Sequence, residues 1–175
     1  MANMNRNIEI KAKLPDRAAV ERLVITQADE GPAILEQEDV FFTCPTGRLK
    51  LRTINRQQSE LIFYQRDDSP EPKPSNYLVV PVGDAVAMRT VLSQIAKEIG
   101  VVRKHRTLYL IGPTRVHLDE VQGLGSYLEL EVVLTPEESI EDGQEIAEDI
   151  MAMLGIEPSW LVRGAYLDLL RAQTN

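Results

Sequence analysis

Four short segments of this chain carry charged side chains two residues apart, with apolar residues beside most of them. Glu9 and Lys11 stand in Asn7-Ile8-Glu9-Ile10-Lys11, and Lys50 and Arg52 in Arg48-Leu49-Lys50-Leu51-Arg52. Lys104 and Arg106 flank His105, and Glu129 and Glu131 stand in Leu128-Glu129-Leu130-Glu131-Val132. Val116-His117-Leu118-Asp119 repeats the alternation. In an extended strand, residues i and i+2 share a face, so each pair falls on one side of its strand. Singly, each pair is compatible with a solvated strand face or with an edge that lysine protects from aggregation. Their sum is less ordinary. Like charges at about 4 Å and an effective dielectric near ~20 repel by on the order of 4 kcal/mol. A fold that collects several such cations needs an anionic ligand or counter-ion to offset the cost. If one sheet gathers these faces into its concave interior, the lining suits a multiply charged anion bound with a divalent metal. Glu129 and Glu131, with Glu9 and Asp119, supply hard oxygen donors of the type that Mg²⁺ and Mn²⁺ take.

Other chemistries find less support. His117 shares a face with Asp119 and is a candidate to line the cavity, whereas His105 points the opposite way and reads as a surface or core residue. Cys44 sits beside a turn with no residue to activate it, and a single cysteine excludes an internal disulfide or a cysteine-cluster metal site. Gly123-Leu124-Gly125 lacks the following lysine of a phosphate-binding Walker loop and reads as a strand turn. Trp160 and Tyr166, with Leu161, Leu167 and Leu170, read as core packing. A net charge of -8 and a pI near 4.9 argue against general nucleic-acid binding. No apolar run approaches the roughly 20 residues that span a bilayer, and the first residues lack the apolar core of a signal peptide. The expected location is the cytoplasm.

These residues need elements to position them. Length favours one domain over 1–175. A strand over 7–14 ends at Pro15, which opens a short helix. Extended segments follow at 35–43, 48–53, 60–66 and 77–82, with a proline-rich loop over 67–74. Apolar spacing predicts a helix over 84–99, closed by Gly100. Strands at 101–111, 114–121 and 126–134 precede helices at 136–154 and 158–172. Hairpin-length links between most strands indicate an α+β fold, a mainly antiparallel closed or nearly closed sheet with helices outside.

The same segments carry a resemblance. Asn7-Ile8-Glu9-Ile10-Lys11 resembles the opening Glu-x-Glu-x-Lys strand of the CYTH family, the triphosphate tunnel metalloenzymes that include class IV adenylate cyclases, thiamine triphosphatases and inorganic triphosphatases. Gln37 to Phe42 followed by Gly47 to Arg52, Lys104-His105-Arg106, Val116 to Val121 and Gly123 to Glu131 resemble later strands, so the likeness covers nearly the whole chain. It implies an eight-stranded antiparallel β-barrel, the triphosphate tunnel, with helices packed outside. It also implies that Lys11, Lys50, Arg52, Arg66, Lys104 and Arg106 bind phosphates. Glu9, Glu129 and Glu131 would hold Mg²⁺ or Mn²⁺. Lys11 and Asp119 are then the catalytic candidates, Asp119 by orienting basic side chains or metal-bound water. Asn7 departs from the pattern: it stands where the motif has its first Glu, and an amide oxygen brings no charge.

The resemblance implies an enzyme acting on a triphosphate small molecule (ATP, thiamine triphosphate or tripolyphosphate), with a homodimer left open. Hydrolysis and class IV cyclisation of ATP to cyclic AMP and pyrophosphate use the same tunnel groups and stay nearly even. Asn7 keeps open a module that binds a nucleotide or polyphosphate without turnover. A barrel for an apolar ligand is disfavoured by the charged lining.

Overall fold

A computed structural model describes residues 4–173 of the chain. Its strands are β1 (Asn5–Lys13), β2 (Glu30–Phe42), β3 (Arg48–Ile54), β4 (Gln58–Arg66), β5 (Lys73–Val82), β6 (Glu98–Ile111), β7 (Thr114–Val121) and β8 (Gly125–Leu134). Helix α1 (Arg17–Gln27) follows β1, α2 (Ala85–Ile95) separates β5 from β6, and α3 (Ile140–Met153) follows β8. A 3-10 turn (Pro158–Trp160) and α4 (Tyr166–Ala172) complete the order. The strands close into one antiparallel barrel in the order β1-β5-β4-β3-β2-β6-β7-β8. This is the eight-stranded α+β barrel expected. No helix among the described residues is long and apolar enough to cross a membrane.

Period-two alternation decides what goes where. On β1, Ile8, Ile10 and Ala12 point outward and are fully buried under helices, while Asn7, Glu9 and Lys11 point into the barrel. On β8, Leu128, Leu130 and Val132 do the same opposite Glu129 and Glu131. The apolar core therefore lies outside the barrel, between its wall and the helices. Helix α3 lies on β8 and β1, and α1 lies on β6 and β7. Ile10, Val116, Leu118 and Leu130 meet Val20, Val24, Ile150 and Leu154 in that layer. Helix α2 brings Leu92 onto Val40, Phe42 and Leu51. The start of α3 is fixed by Ser139, whose hydroxyl accepts from the Asp142 amide while Asp142 accepts from the Ser139 amide. Its close seat depends on Gly143, where a Cβ would stand 2.6 Å from Ile8 and 2.7 Å from Leu134.

Several boundaries differ from the sequence expectation, β2 beginning at Glu30 and not 35 among them, and three have a clear tertiary reason. Helix α2 stops at Ile95, and Ile99 and Gly100 are already extended in β6. Ile95 is 77% exposed, so the helical spacing there served no buried face. The ladder that pairs Phe41 with Gly100 and Phe42 with Glu98 claims this segment for the sheet instead. Strand β5 begins at Lys73, not 77, because residues 73–76 pair with β1 despite Pro74. Residues 158–172 are not one helix: the chain leaves the 3-10 turn, bridges Leu161 to Ala12, and turns at Gly164 (φ +77°) before α4.

The two faces of β8 predict separable effects. Leu130→Ala empties a fully buried outer position and should cost roughly 2–5 kcal/mol in urea unfolding, while its inward neighbours, and any anion binding they support, persist.

Candidate functional site

The barrel interior is a cavity of about 600 Å³. Lys11 from β1, Lys50 and Arg52 from β3, Arg66 from β4, and Lys104 and Arg106 from β6 all line it, together with Glu9, Glu129 and Glu131. One closed wall thus brings together six cationic residues predicted from sequence, drawn from four strands, and three of the carboxylates. Asp119 is the exception. It is 0% exposed and stands behind the lining.

Two aspartates anchor the cation pairs in the same way. Asp39 on β2 ladders opposite Arg52. It accepts from Arg52 Nε (2.7 Å) and Nη2 (2.8 Å) and from Lys50 Nζ (3.0 Å). Asp119 on β7 ladders opposite Arg106. It accepts from Arg106 Nε (2.7 Å) and Nη2 (2.6 Å), from Lys104 Nζ (3.2 Å) and from the Tyr166 hydroxyl (2.9 Å). Each guanidinium is therefore held by a planar two-point contact, which fixes its direction. Burial opposes the charge of Asp39, but Arg52 and Lys50 outweigh it and hold the carboxyl well below the usual range. The same balance, through Arg106 and Lys104, keeps Asp119 ionised.

The carboxylates of β8 face the cations of β3 across the barrel. Glu129 pairs with Lys11 and Arg106, and Glu131 lies 3.4 Å from Arg115. Against the penalty of burial, Lys11, Lys104 and Arg106 hold Glu129 well below the ordinary carboxylate range. Donor atoms of His117, Glu129 and Glu131 lie within 4.8 Å of one another, a span one metal ion can bridge. Burial and the neighbouring Arg106 push the His117 pKa down to about 3, so its ring is neutral and its Nδ1, buried without a hydrogen-bond partner, can act as a ligand. Glu9 ladders opposite Glu131 but pairs with Arg66, and so lies outside that compact group. Asn7, buried beside it, has an Oδ1 with no partner. His105 is exposed on the outer face.

Sequence reasoning missed several residues here. Asp39 carries no local signal of a role, since nothing near it in sequence shows that it faces Lys50 and Arg52. Tyr166 does pack in the core, with Phe41, Val102 and Tyr127, but has a second role that its sequence position does not show. In the structure its ring closes one end of the cavity, with Lys11 Nζ 4.0 Å and Lys104 Nζ 4.9 Å from the ring centroid. Trp160, by contrast, does pack against the outer core. Lys73 was placed in a loop. It is 4% exposed in β5, pairs with no carboxylate among the described residues, and is pushed down to about pKa 8 by burial and by Arg66 and Lys11. Alternation along β5 was the signal for it, but the flanking prolines obscured the strand.

The fold and this lining define a class, and comparison with known proteins gives the same one. The pattern of the CYTH domain matches residues 5–166, and the chain belongs to the CYTH family. The adenylate cyclase CyaB of Aeromonas hydrophila is 22% identical over 174 residues, covering 93% of this chain and 87% of its own. The PH1012 protein of Pyrococcus horikoshii superposes with a TM-score of 0.84 at 26% identity, over 94% of this chain and 99% of that one. A Hippeastrum protein whose structure is described as revealing a dominant triphosphatase activity shares the fold, with a TM-score of 0.67 at 18% identity over 95% and 96% of the two chains.

Lys73 gives a test of what a buried cation costs here. Lys73→Met removes a buried ammonium that forms no ion pair among the described residues and keeps its length, so the ligand-free protein should gain about 1 kcal/mol or more in chemical unfolding. Titration supplies a second test. Burial and Arg52 outweigh Asp39 and push Lys50 down to about 8, and Lys73 lies near the same value. Both are then partly neutral at pH 8.5 in the empty protein, and a bound polyanion raises both pKa values. Binding of tripolyphosphate at pH 8.5 should therefore take up protons, and at pH 6.5, below both values, these two lysines should contribute almost none. Calorimetry in buffers of different ionisation enthalpy measures the difference.

Proposed function

We propose that this protein is a divalent-metal-dependent enzyme that binds the triphosphate group of a small molecule inside the barrel and promotes displacement at one of its phosphorus atoms. The observation that carries this reading is the convergence of Lys11, Lys50, Arg52, Arg66, Lys104 and Arg106 on one cavity that also presents Glu129, Glu131 and His117. Membership of the CYTH family supports chemistry on triphosphates.

The division of labour follows from the contacts. Arg52 and Arg106, steered by Asp39 and Asp119, present fixed donors from two sides of the tunnel. Lys11, Lys50, Lys104 and Arg66 add positive charge along it. Donors that need no reorganisation stabilise charge as it builds on the phosphate oxygens and on the leaving group. Asp119 works through Arg106 and Lys104 as a positioning residue. A divalent ion, held by Glu129 and Glu131 with His117, Glu9 or Asn7 alongside, would neutralise phosphate oxygens and organise the nucleophile. In hydrolysis a water oxygen bonds to the terminal phosphorus, the bond to the bridging oxygen breaks, and the water's proton passes to solvent or to the departing phosphate oxygen. In cyclisation the ribose 3′-oxygen bonds to the α-phosphorus, the bond to the bridging oxygen breaks, and pyrophosphate departs while the hydroxyl proton passes to it or to solvent. The belt of cations serves both.

Asn7 favours one other reading, a module that binds a nucleotide or polyphosphate without turnover, because its amide brings no charge to the metal wall. Phosphorus NMR of tripolyphosphate, ATP and thiamine triphosphate incubated with Mg²⁺ or Mn²⁺ separates these outcomes. Orthophosphate marks a hydrolase, cyclic AMP with pyrophosphate a cyclase, and unchanged but bound ligand the module. Arg52→Ala should weaken binding roughly tenfold to a hundredfold, through loss of a charge-assisted contact. Glu131→Gln should raise the metal concentration for half-maximal activity about tenfold or more, and Asn7→Glu should lower it. Absence of both turnover and binding would overturn the proposal.

A further inference from the structure

Tyr166 reaches the tunnel from the carboxyl-terminal segment, and a series of contacts fixes its ring there. The chain before α4 lies against β1: Leu161 bridges to Ala12, and the Val162 amide donates to the Lys11 carbonyl (2.9 Å). Gly164 turns the chain (φ +77°), and its carbonyl accepts from Arg66 Nη2 (3.0 Å). Asp168 accepts from the Ala165 amide (2.8 Å) at the start of α4, and Arg48 Nη2 holds the same carboxylate from β3 (2.9 Å). Tyr127 meets the Tyr166 ring edge to face, with centroids 5.3 Å apart and planes at 74°. The hydroxyl donates to Asp119 Oδ2 (2.9 Å), which sets the direction of the ring.

Two ammonium groups stand over that ring, Lys11 Nζ from β1 at 4.0 Å and Lys104 Nζ from β6 at 4.9 Å from its centroid. Both lie within the roughly 6 Å over which the negative face of an aromatic ring attracts a cation. Both lysines are buried, so groups other than bulk water must support their charge. Glu129 pairs with Lys11 and Asp119 with Lys104 (3.2 Å), but Arg106 draws on the same two carboxylates. A further carboxylate in place of the ring would cancel the positive charge that a polyanion needs. An aliphatic side chain would leave both ammonium groups against hydrocarbon. The aromatic face does neither: its quadrupole attracts the two cations and adds no net charge.

We infer that Tyr166 is a positioning residue of the cation belt: its ring holds the Lys11 and Lys104 ammonium groups in place for a bound polyanion, and its hydroxyl steadies the aspartate behind Arg106. This rests on the triphosphate reading of the belt and extends the site to a residue of α4, outside the barrel strands. The contacts of Arg48 and Arg66 with Asp168 and Gly164 then serve the site by seating one ring.

Fluorination tests the ring while nearly preserving its shape. Tyr166→Phe loses only the hydroxyl, and Asp119 keeps Arg106 and Lys104, so affinity for tripolyphosphate should stay within about threefold of wild type. Calorimetric titration in EDTA measures it without turnover. Mono-, di- and trifluorophenylalanine introduced at position 166 drain negative potential from the ring face step by step. Affinity should fall along the series, to roughly threefold to thirtyfold below that of Tyr166→Phe. Leu167→Ala is the control for packing, since Leu167 is buried in the same cluster but does not line the cavity. It should lower the thermal unfolding temperature and leave affinity unchanged. In ligand-free protein labelled with ¹³C-lysine, the ε-methylene protons of Lys11 and Lys104 should resonate upfield of those of the other lysines, as protons over a ring face do. Constant affinity across the fluorinated series, or an equal loss in Leu167→Ala, would reduce Tyr166 to packing and overturn the inference. So would unshifted lysine resonances, which are read without ligand. If the wild-type protein fails to bind tripolyphosphate while those resonances are shifted, it is the reading of the belt that falls, and the inference with it.

Discussion

Taking an ionised side chain out of water is costly unless a partner of opposite charge replaces the solvent, and this barrel places both signs on its inner wall. Its arrangement follows from that requirement. Asp39 pairs with both Lys50 and Arg52 and offsets one of their two charges, Asp119 does the same for Lys104 and Arg106, and Glu129 bridges Lys11 and Arg106. The anchors do more than cancel charge. A guanidinium bound at two points by a carboxylate behind it cannot fold back on the wall, and its remaining donors point into the cavity. Neutralisation is also incomplete, with two cations on each aspartate, and the residue of positive charge is what a polyanion would find.

Charge inside forces apolar packing outside. A sandwich or a ligand-carrying barrel fills its interior with alternate apolar side chains. Here Ile8, Ile10, Leu128, Leu130 and Val132 face outward, so the wall is stable only where helices cover it. Those helices carry the protein's excess acid to solvent: Glu141, Asp142, Glu145, Glu148 and Asp149 on α3 are all exposed. A net charge of -8 and an anion site coexist because they occupy opposite faces of one wall. Total charge governs solubility and long-range steering. The local field within the tunnel is set by the lining alone.

The limits of sequence reading here have a common physical origin. Alternation is local, so Glu9 with Lys11, Lys50 with Arg52, Lys104 with Arg106 and Glu129 with Glu131 could be paired by inspection. What faces a pair from another strand is not local. Asp39 and Tyr166 lie 11 or more residues from the cations they touch, and neither carries a spacing signal of its own. Lys73 was hidden by prolines that favour a loop until a neighbouring strand supplies the ladder. The extension of α2 to Ile99 failed for the converse reason: helical spacing persisted where pairing with β2 gave those residues a better use.

By itself, the amino-acid order determined which side chains share a face, how many strands the chain can make, and that cations and carboxylates would be held in alternation with an apolar set. These follow from a period of two and from short turns, both of which act over a few residues. Tertiary structure alone decided which face became the interior, which carboxylate holds which cation, that Glu129 and Glu131 gather with His117 while Glu9 turns to Arg66, and that Tyr166 closes one end of the tunnel. Such choices depend on closing the sheet, because only closure brings β1 beside β8 and sets β3 across from it, at separations along the chain that no local pattern encodes.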